Sequence, residues 1–240
     1  MMTGKDGKRA TSTVAILPAM LCAAVVSLAA GNGTVIDRDT VFAADVEVPE
    51  AATLIIRPGV TITFSTYSRL AVGGLLIAEG TAGKPVLFTA TGRPRGSQAL
   101  PDWKGIEIIG PKAYGRLRHV RIEGAFRNLV WGNQSVFDSC EFAGNHYALY
   151  CAKQSAANVS NSRFYNNVYG ITVEFAAPLL LNNIITDNSI GICLRISGES
   201  VTGRNRIVNN RTDIKVENAF GENKQPASIQ YLWEVMNQLY

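Results

Sequence analysis

Four charged residues toward the carboxyl end, Glu174, Arg195, Lys215 and Glu217, recur at matching intervals, with 21 residues from Glu174 to Arg195 and 22 from Arg195 to Glu217. Two carboxylates held about 5 to 10 Å apart can hydrolyse a glycosidic bond, one as acid and the other as base or nucleophile. An alternation of acid, base and acid is also the pattern of a cross-strand ion-pair stack, in which each charge is neutralised by the next. A second set, Tyr150, Tyr165, Tyr169 and His146, offers rings for stacking on sugars or, equally, cover for exposed strands. His119 and His146 are the only histidines. They fall at different points of the pattern set out below, so no shared metal is expected, and no other cofactor.

The pattern that must position these residues is an internal repeat of about 22 residues. An apolar or small residue, a gap, Phe or Ile, two more positions and an Asn are followed by an apolar-x-apolar run. It occurs at Cys140-Glu141-Phe142-Ala143-Gly144-Asn145, Ser162-Arg163-Phe164-Tyr165-Asn166-Asn167, Asn183-Ile184-Ile185-Thr186-Asp187-Asn188 and Asn205-Arg206-Ile207-Val208-Asn209-Asn210. The residues Asn145, Asn167, Asn188 and Asn210 are 22, 21 and 22 apart, and degenerate copies begin near Val120 and Gly105.

Each copy holds two or three short alternating runs broken by Asn, Gly or Ser, and none has helical periodicity. One such unit cannot bury its own apolar face. Stacking places Phe142, Phe164, Ile185 and Ile207 above one another about 4.8 Å apart, and Leu149, Ile171, Ile192 and Ile214 likewise. The expected fold is therefore all-β, a parallel solenoid of about eight coils over residues 35 to 217, roughly 40 Å long. Asn suits the recurring corner because it tolerates left-handed backbone and its amide can bond from coil to coil, which makes Asn145, Asn167, Asn188 and Asn210 a structural ladder. Before Gly105 the strands continue without that Asn, and a Gly, Pro and Arg-rich stretch between Thr91 and Trp103 is expected to leave the surface as a loop.

These features resemble the right-handed parallel β-helix superfamily, the pectin-lyase-like fold with carbohydrate-binding and sugar-hydrolase repeats. The residues that carry the resemblance are Ala52-Thr53-Leu54-Ile55-Ile56-Arg57-Pro58-Gly59-Val60-Thr61-Ile62, Trp103-Lys104-Gly105-Ile106, Leu117-Arg118-His119-Val120 and the Asn corners. The resemblance implies that catalytic groups would stand on the outer face of the strand after the Asn corner. Two outward rows are expected there: Val130, Tyr150, Thr172, Cys193 and Lys215, then Gly132, Ala152, Glu174, Arg195 and Glu217. The hydrolase branch implies clustered Asp residues with a His and a Lys, but Asp187 and Asp213 occupy different places in their repeats. The lyase branch implies a calcium held by carboxylates and an Arg or Lys that removes the proton beside a uronate carboxylate. Glu174, Arg195, Lys215 and Glu217 are of the right types, so calcium is expected only if the protein is such a lyase.

Composition bounds the rest. With 47% hydrophobic and 18% charged residues, the chain can fold and is neither disordered nor collagen-like. Lys5, Lys8 and Arg9 lead into an uncharged apolar run from Val14 to Ala30, which reads as a secretory signal over residues 1–30, cut after Ala29 or Ala30. An uncleaved anchor and lipidation at Cys22 are the competing readings. Without the signal, 20 basic and 18 acidic residues remain, which leaves no nucleic-acid footprint and no membrane span. The three cysteines that remain, Cys140, Cys151 and Cys193, fit no disulfide framework and are expected to be packing thiols.

The β-helix is expected over residues 31–217, followed by a linker and a short C-terminal amphipathic helix within 218–240. There Ile229, Leu232, Trp233, Met236 and Tyr240 fall at helical spacing, to cap the last coil or to dock on a partner through residues 227–240. The resulting expectation is an exported scaffold, in the periplasm, on the outer surface or secreted. It would present a surface to a polysaccharide or an envelope protein without catalysis. The alternative is a lyase or hydrolase acting on an acidic glycan.

Overall fold

A computed structural model describes residues 25–29, 31, 33–91, 101–195 and 202–217. The expected loop after Thr91 and the expected C-terminal helix lie outside the described residues, as does most of the expected signal. Its last part does not: Val26–Ser27 pairs in parallel with Val46 and Glu47, and Leu28 donates its amide to the Glu47 carbonyl at 2.9 Å.

The chain winds through three sheets in turn, once per coil. Among the described residues the sheets have nine, eight and eight strands, and each strand pairs in parallel with the equivalent strand one coil away. One complete coil consists of Tyr147–Ala152 in sheet 1, Asn158–Ser160 in sheet 2 and Arg163–Tyr165 in sheet 3. The strands are short because every fourth to sixth residue meets a corner. Alternation within them then sends every second side chain inward.

The core is a set of stacked columns. Phe142, Phe164, Ile185 and Ile207 are in register, as are Leu149, Ile171, Ile192 and Ile214. The rings of Phe142 and Phe164 lie 4.6 Å apart and within 4° of parallel. In the earlier coils Ile122, Phe88 and Ile62 continue the column, Phe42 and Phe64 stack in the column beside it, and Trp103 stacks on Phe64 at 4.3 Å while its Nε1 donates to the Glu123 carbonyl. Cys140 and Cys151 are buried and unbridged, and burial pushes each thiol up to about 12, as packing groups require.

Two ladders of side chains hold the corners. Between sheets 3 and 1, the Nδ2 of Asn145, Asn167 and Asn188 donates to the Oδ1 of Asn167, Asn188 and Asn210 at 3.1, 2.9 and 2.9 Å. The same Oδ1 atoms accept the backbone amides of Asn145, Asn167 and Asn188. At the last rung Asn210 Nδ2 turns to Asp213 Oδ1 of its own coil at 2.9 Å.

The left-handed backbone is not at these Asn residues, as the sequence pattern suggested, but one position earlier, at Gly144, Asn166, Asp187 and Asn209 (φ 55 to 63°). The ladder Asn must aim its amide inward, so the preceding residue makes the turn. A second ladder, unrecognised as such in the sequence, joins sheets 2 and 3. Ser162 Oγ, Asn183 Oδ1 and Asn205 Oδ1 accept the amides of Cys140, Ser162 and Asn183 at 2.9 to 3.0 Å.

Candidate functional site

The inward columns of sheet 1 dictate what its outer face presents. With Leu149 and Cys151 pointing in, Tyr147, Tyr150 and Ala152 are left to the outside, and their partners one coil on are Tyr169, Thr172 and Glu174. The rows continue through Cys193 and Lys215, and through Arg195 and Glu217. Two positions of the expected rows are corrected. Val130 pairs with Cys151 and is buried in the core, so Leu129 is the outward residue before Tyr150; Trp131, not Gly132, precedes Ala152. The cause is an irregularity between Arg127 and Leu129, where the strand of the next coil contains one extra residue.

On this face the rings of Tyr147 and Tyr169 stack at 4.6 Å and 17°. Tyr150 meets Tyr147 edge-on at 5.4 Å but is only 8% exposed, so it supports the surface rather than offering a free ring. His146 stacks on Phe126 at 5.3 Å and lies 5.8 Å from Tyr169. Phe126, His146, Tyr147 and Tyr169 thus form one aromatic strip along the corner between sheets 3 and 1. Phe126 and Tyr147 were not singled out from the sequence; their signal is that each precedes or follows a strip residue at the coil spacing. Tyr165, expected in the strip, is on sheet 3 instead, with its hydroxyl on Glu141 at 3.2 Å and Arg163 4.8 Å from its ring. Only three residues separate it from Tyr169, but the corner turns between them.

Arg195 is the centre of the face. Its guanidinium carbon is 5.7 Å from the Tyr147 and Tyr169 rings and 5.9 Å from Tyr150. Its Nε pairs with Glu217 at 2.6 Å, and its Nη1 donates to the Tyr150 hydroxyl at 3.3 Å. Lys215 meets the other Glu217 oxygen at 2.7 Å, while Glu174 accepts the Tyr150 hydroxyl. The alternating sequence therefore yields an ion-paired group around Glu217, with Glu174 turned to a tyrosine.

Burial opposes the charge on Arg195, but hydrogen bonds to Tyr147 and Glu217 outweigh it and raise its pKa. The Lys215 hydrogen bond, against burial and with help from Arg195, lowers that of Glu217 below its ordinary 4.5. Burial lowers His146. Cys193, beneath this layer, is pushed up to about 11 by burial.

A pH dependence follows for Glu217. The unfolded chain protonates this carboxyl at higher pH than the folded one, so the ion pair stabilises the fold above pH 4.5 and the gain is lost as pH falls through the lower folded value. In urea unfolding between pH 6 and pH 3, Glu217→Gln is expected to lose less stability on acidification than the parent. Equal losses would show that the pair contributes nothing.

Among the described residues no group of three His, Cys, Asp or Glu side chains could hold a metal ion, and no helix is long and apolar enough to cross a membrane. Residues 128–227 match the family described as right handed beta helix region. The fold is a parallel β-helix, and over this stretch the chain is similar to that family. In this β-helix the matched stretch contains the Asn145 to Asn210 ladder and the whole Tyr147, Tyr169 and Arg195 group. No curated protein and no solved structure matches the chain.

Proposed function

We propose that the protein is an exported, non-catalytic β-helix scaffold that presents the outer face of sheet 1 to a glycan or to a cell-envelope partner. The observation that carries this reading is the coexistence on one face of an aromatic strip and a charge group already satisfied within itself. Half-buried Tyr147 and Tyr169, with His146 and exposed Phe126, offer a rigid apolar edge of the kind that packs on sugar rings. Arg195 and Lys215 are held protonated by Glu217, and Glu217 is held ionised by them, so none of the three is poised to exchange a proton near neutral pH. Export rests on the basic start and the apolar run to Ala30.

The competing reading, a lyase or hydrolase of an acidic glycan, rests on the same Glu174, Arg195, Lys215 and Glu217, with calcium as the lyase's cation. Both are tested by incubating the protein with neutral and acidic polysaccharides, with and without calcium. Retention, new reducing ends and the ultraviolet signal of an unsaturated uronide are followed together. The expected result is retention without turnover, weakened on the order of tenfold by Tyr169→Ala, the loss of one stacked ring. Turnover abolished by Arg195→Gln in a folded protein would establish the enzyme instead.

A further inference from the structure

The outer face of sheet 3 carries a different chemistry. Every described arginine between Arg69 and Arg127 has a carboxylate partner, as does Arg195. Toward the last coils this stops. Arg163 and Arg206 stand outward in one register row, two coils apart on either side of Ile184, about 9.6 Å at the usual strand spacing. Arg204 lies two residues before the strand Arg206–Val208 at one corner, and Arg211 three residues after it at the other. All four are exposed, and none is in an ion pair with a carboxylate among the described residues.

The acids nearby do not balance them. Glu141 is met by Arg121 at 3.5 Å, and Asp213 is turned into the Asn210 amide. Asp187, exposed at the corner and bonded to Thr186, leaves an excess of three positive charges over two coils. Exposed charges at this spacing are largely screened from one another in physiological salt, so the fold gains nothing from gathering them on one face.

We infer that this arginine strip is a second binding surface, for a linear polyanionic glycan lying along the rod. It is separate from the tyrosine strip on sheet 1. The strip's form favours a polymer: its charges are spread along a flat, rigid face over two coils rather than gathered around a cavity. Guanidinium forks match sulfate and carboxylate oxygens in bidentate geometry. A single nucleic-acid strand held through its bases would need open aromatic faces, and the ring on this face, Tyr165, is covered by Arg163. A lipid surface would need apolar anchors beside the charges, and Ile184 stands alone in this row.

The test uses the full chain on immobilised dextran sulfate, with uncharged dextran as the blank. The parent is expected to be retained on the sulfated polymer and released by salt. Arg163→Gln with Arg206→Gln is expected to weaken retention on the order of tenfold and to flatten the salt dependence, since fewer counterions are displaced. Arg57→Gln with Arg116→Gln, on other parts of the rod, removes the same charge and is expected to change little. Equal losses for the two pairs would reduce the effect to net charge and overturn the inference. So would stronger retention on vesicles rich in anionic phospholipid than on the polymer. Stacking of sugar rings on the tyrosine strip is common to dextran and dextran sulfate, so the difference in retention between the two polymers reads the arginine strip alone, and failure at one surface is distinguishable from failure at the other.

Discussion

Replacing Asn167 by leucine is expected to lower the melting temperature by about 10 °C, an outcome of losing roughly 3 kcal/mol in a chain of this size. Asn167 Oδ1 accepts both the backbone amide and the Nδ2 of Asn145, and its Nδ2 donates to the Phe142 carbonyl and to Asn188 Oδ1. Leucine has similar bulk and none of these groups. The Asn145 amide, buried in the corner, is left without its acceptor, and orphaned buried donors are expensive because water cannot replace the lost partner. Asn166→Gly, one residue earlier, keeps the left-handed backbone and is expected to shift the midpoint little. Thermal unfolding followed by circular dichroism separates the two; equal midpoints for Asn167→Leu and the parent would show that the ladder is an ornament of the corner.

Phe164→Ala is expected to be at least as severe, with a loss of about 3 to 5 kcal/mol. The ring is fully buried and stacked face to face on Phe142, with Ile185 in register on the other side. Neighbours in a column are fixed by backbone pairing on both sides, so they cannot move in to fill the space, and the cavity term stays large. Denaturant unfolding should show a lower midpoint. A loss under about 1 kcal/mol would mean that the coil relaxes, contrary to the close packing of the columns.

How much of this was readable in the chain depends on which physical rule each residue obeys. The core columns were legible because inward positions repeat with the coil, so Phe142, Phe164, Ile185 and Ile207 declare themselves by spacing alone. The outer rows were legible only while the spacing stayed regular. Counting back from Tyr150 lands on Val130 if the strand is assumed uniform, whereas the extra residue near Leu129 moves the outward row by one.

The tyrosine strip failed for a different reason. Tyr165 and Tyr169 are close in sequence, but a corner lies between them, and a corner changes the face completely. Phe126, at the corner, and Tyr147, at the start of a strand, carry no signal of their own in the sequence, because single aromatics ordinarily serve as cover. The second corner ladder was hidden by its chemistry: Ser162 occupies a rung that Asn183 and Asn205 fill with amides, and a hydroxyl does not look like an amide in a pattern. The arginine strip was invisible as a strip, since absence of a partner is a property of three-dimensional neighbours.

The Asn ladder also has a direction. Each rung hands a donor forward to the next coil, so a rung is complete only when another coil follows it. Asn210 breaks this rule by giving its donor to Asp213, a carboxylate of its own coil that stands where the coil before has Gly191. The relay is therefore a vector, with every amide dipole of the corner pointing the same way along the rod. A coil inserted among Asn145, Asn167 and Asn188 keeps it running only if it brings an amide to this corner; one with an apolar side chain there would break the vector in two.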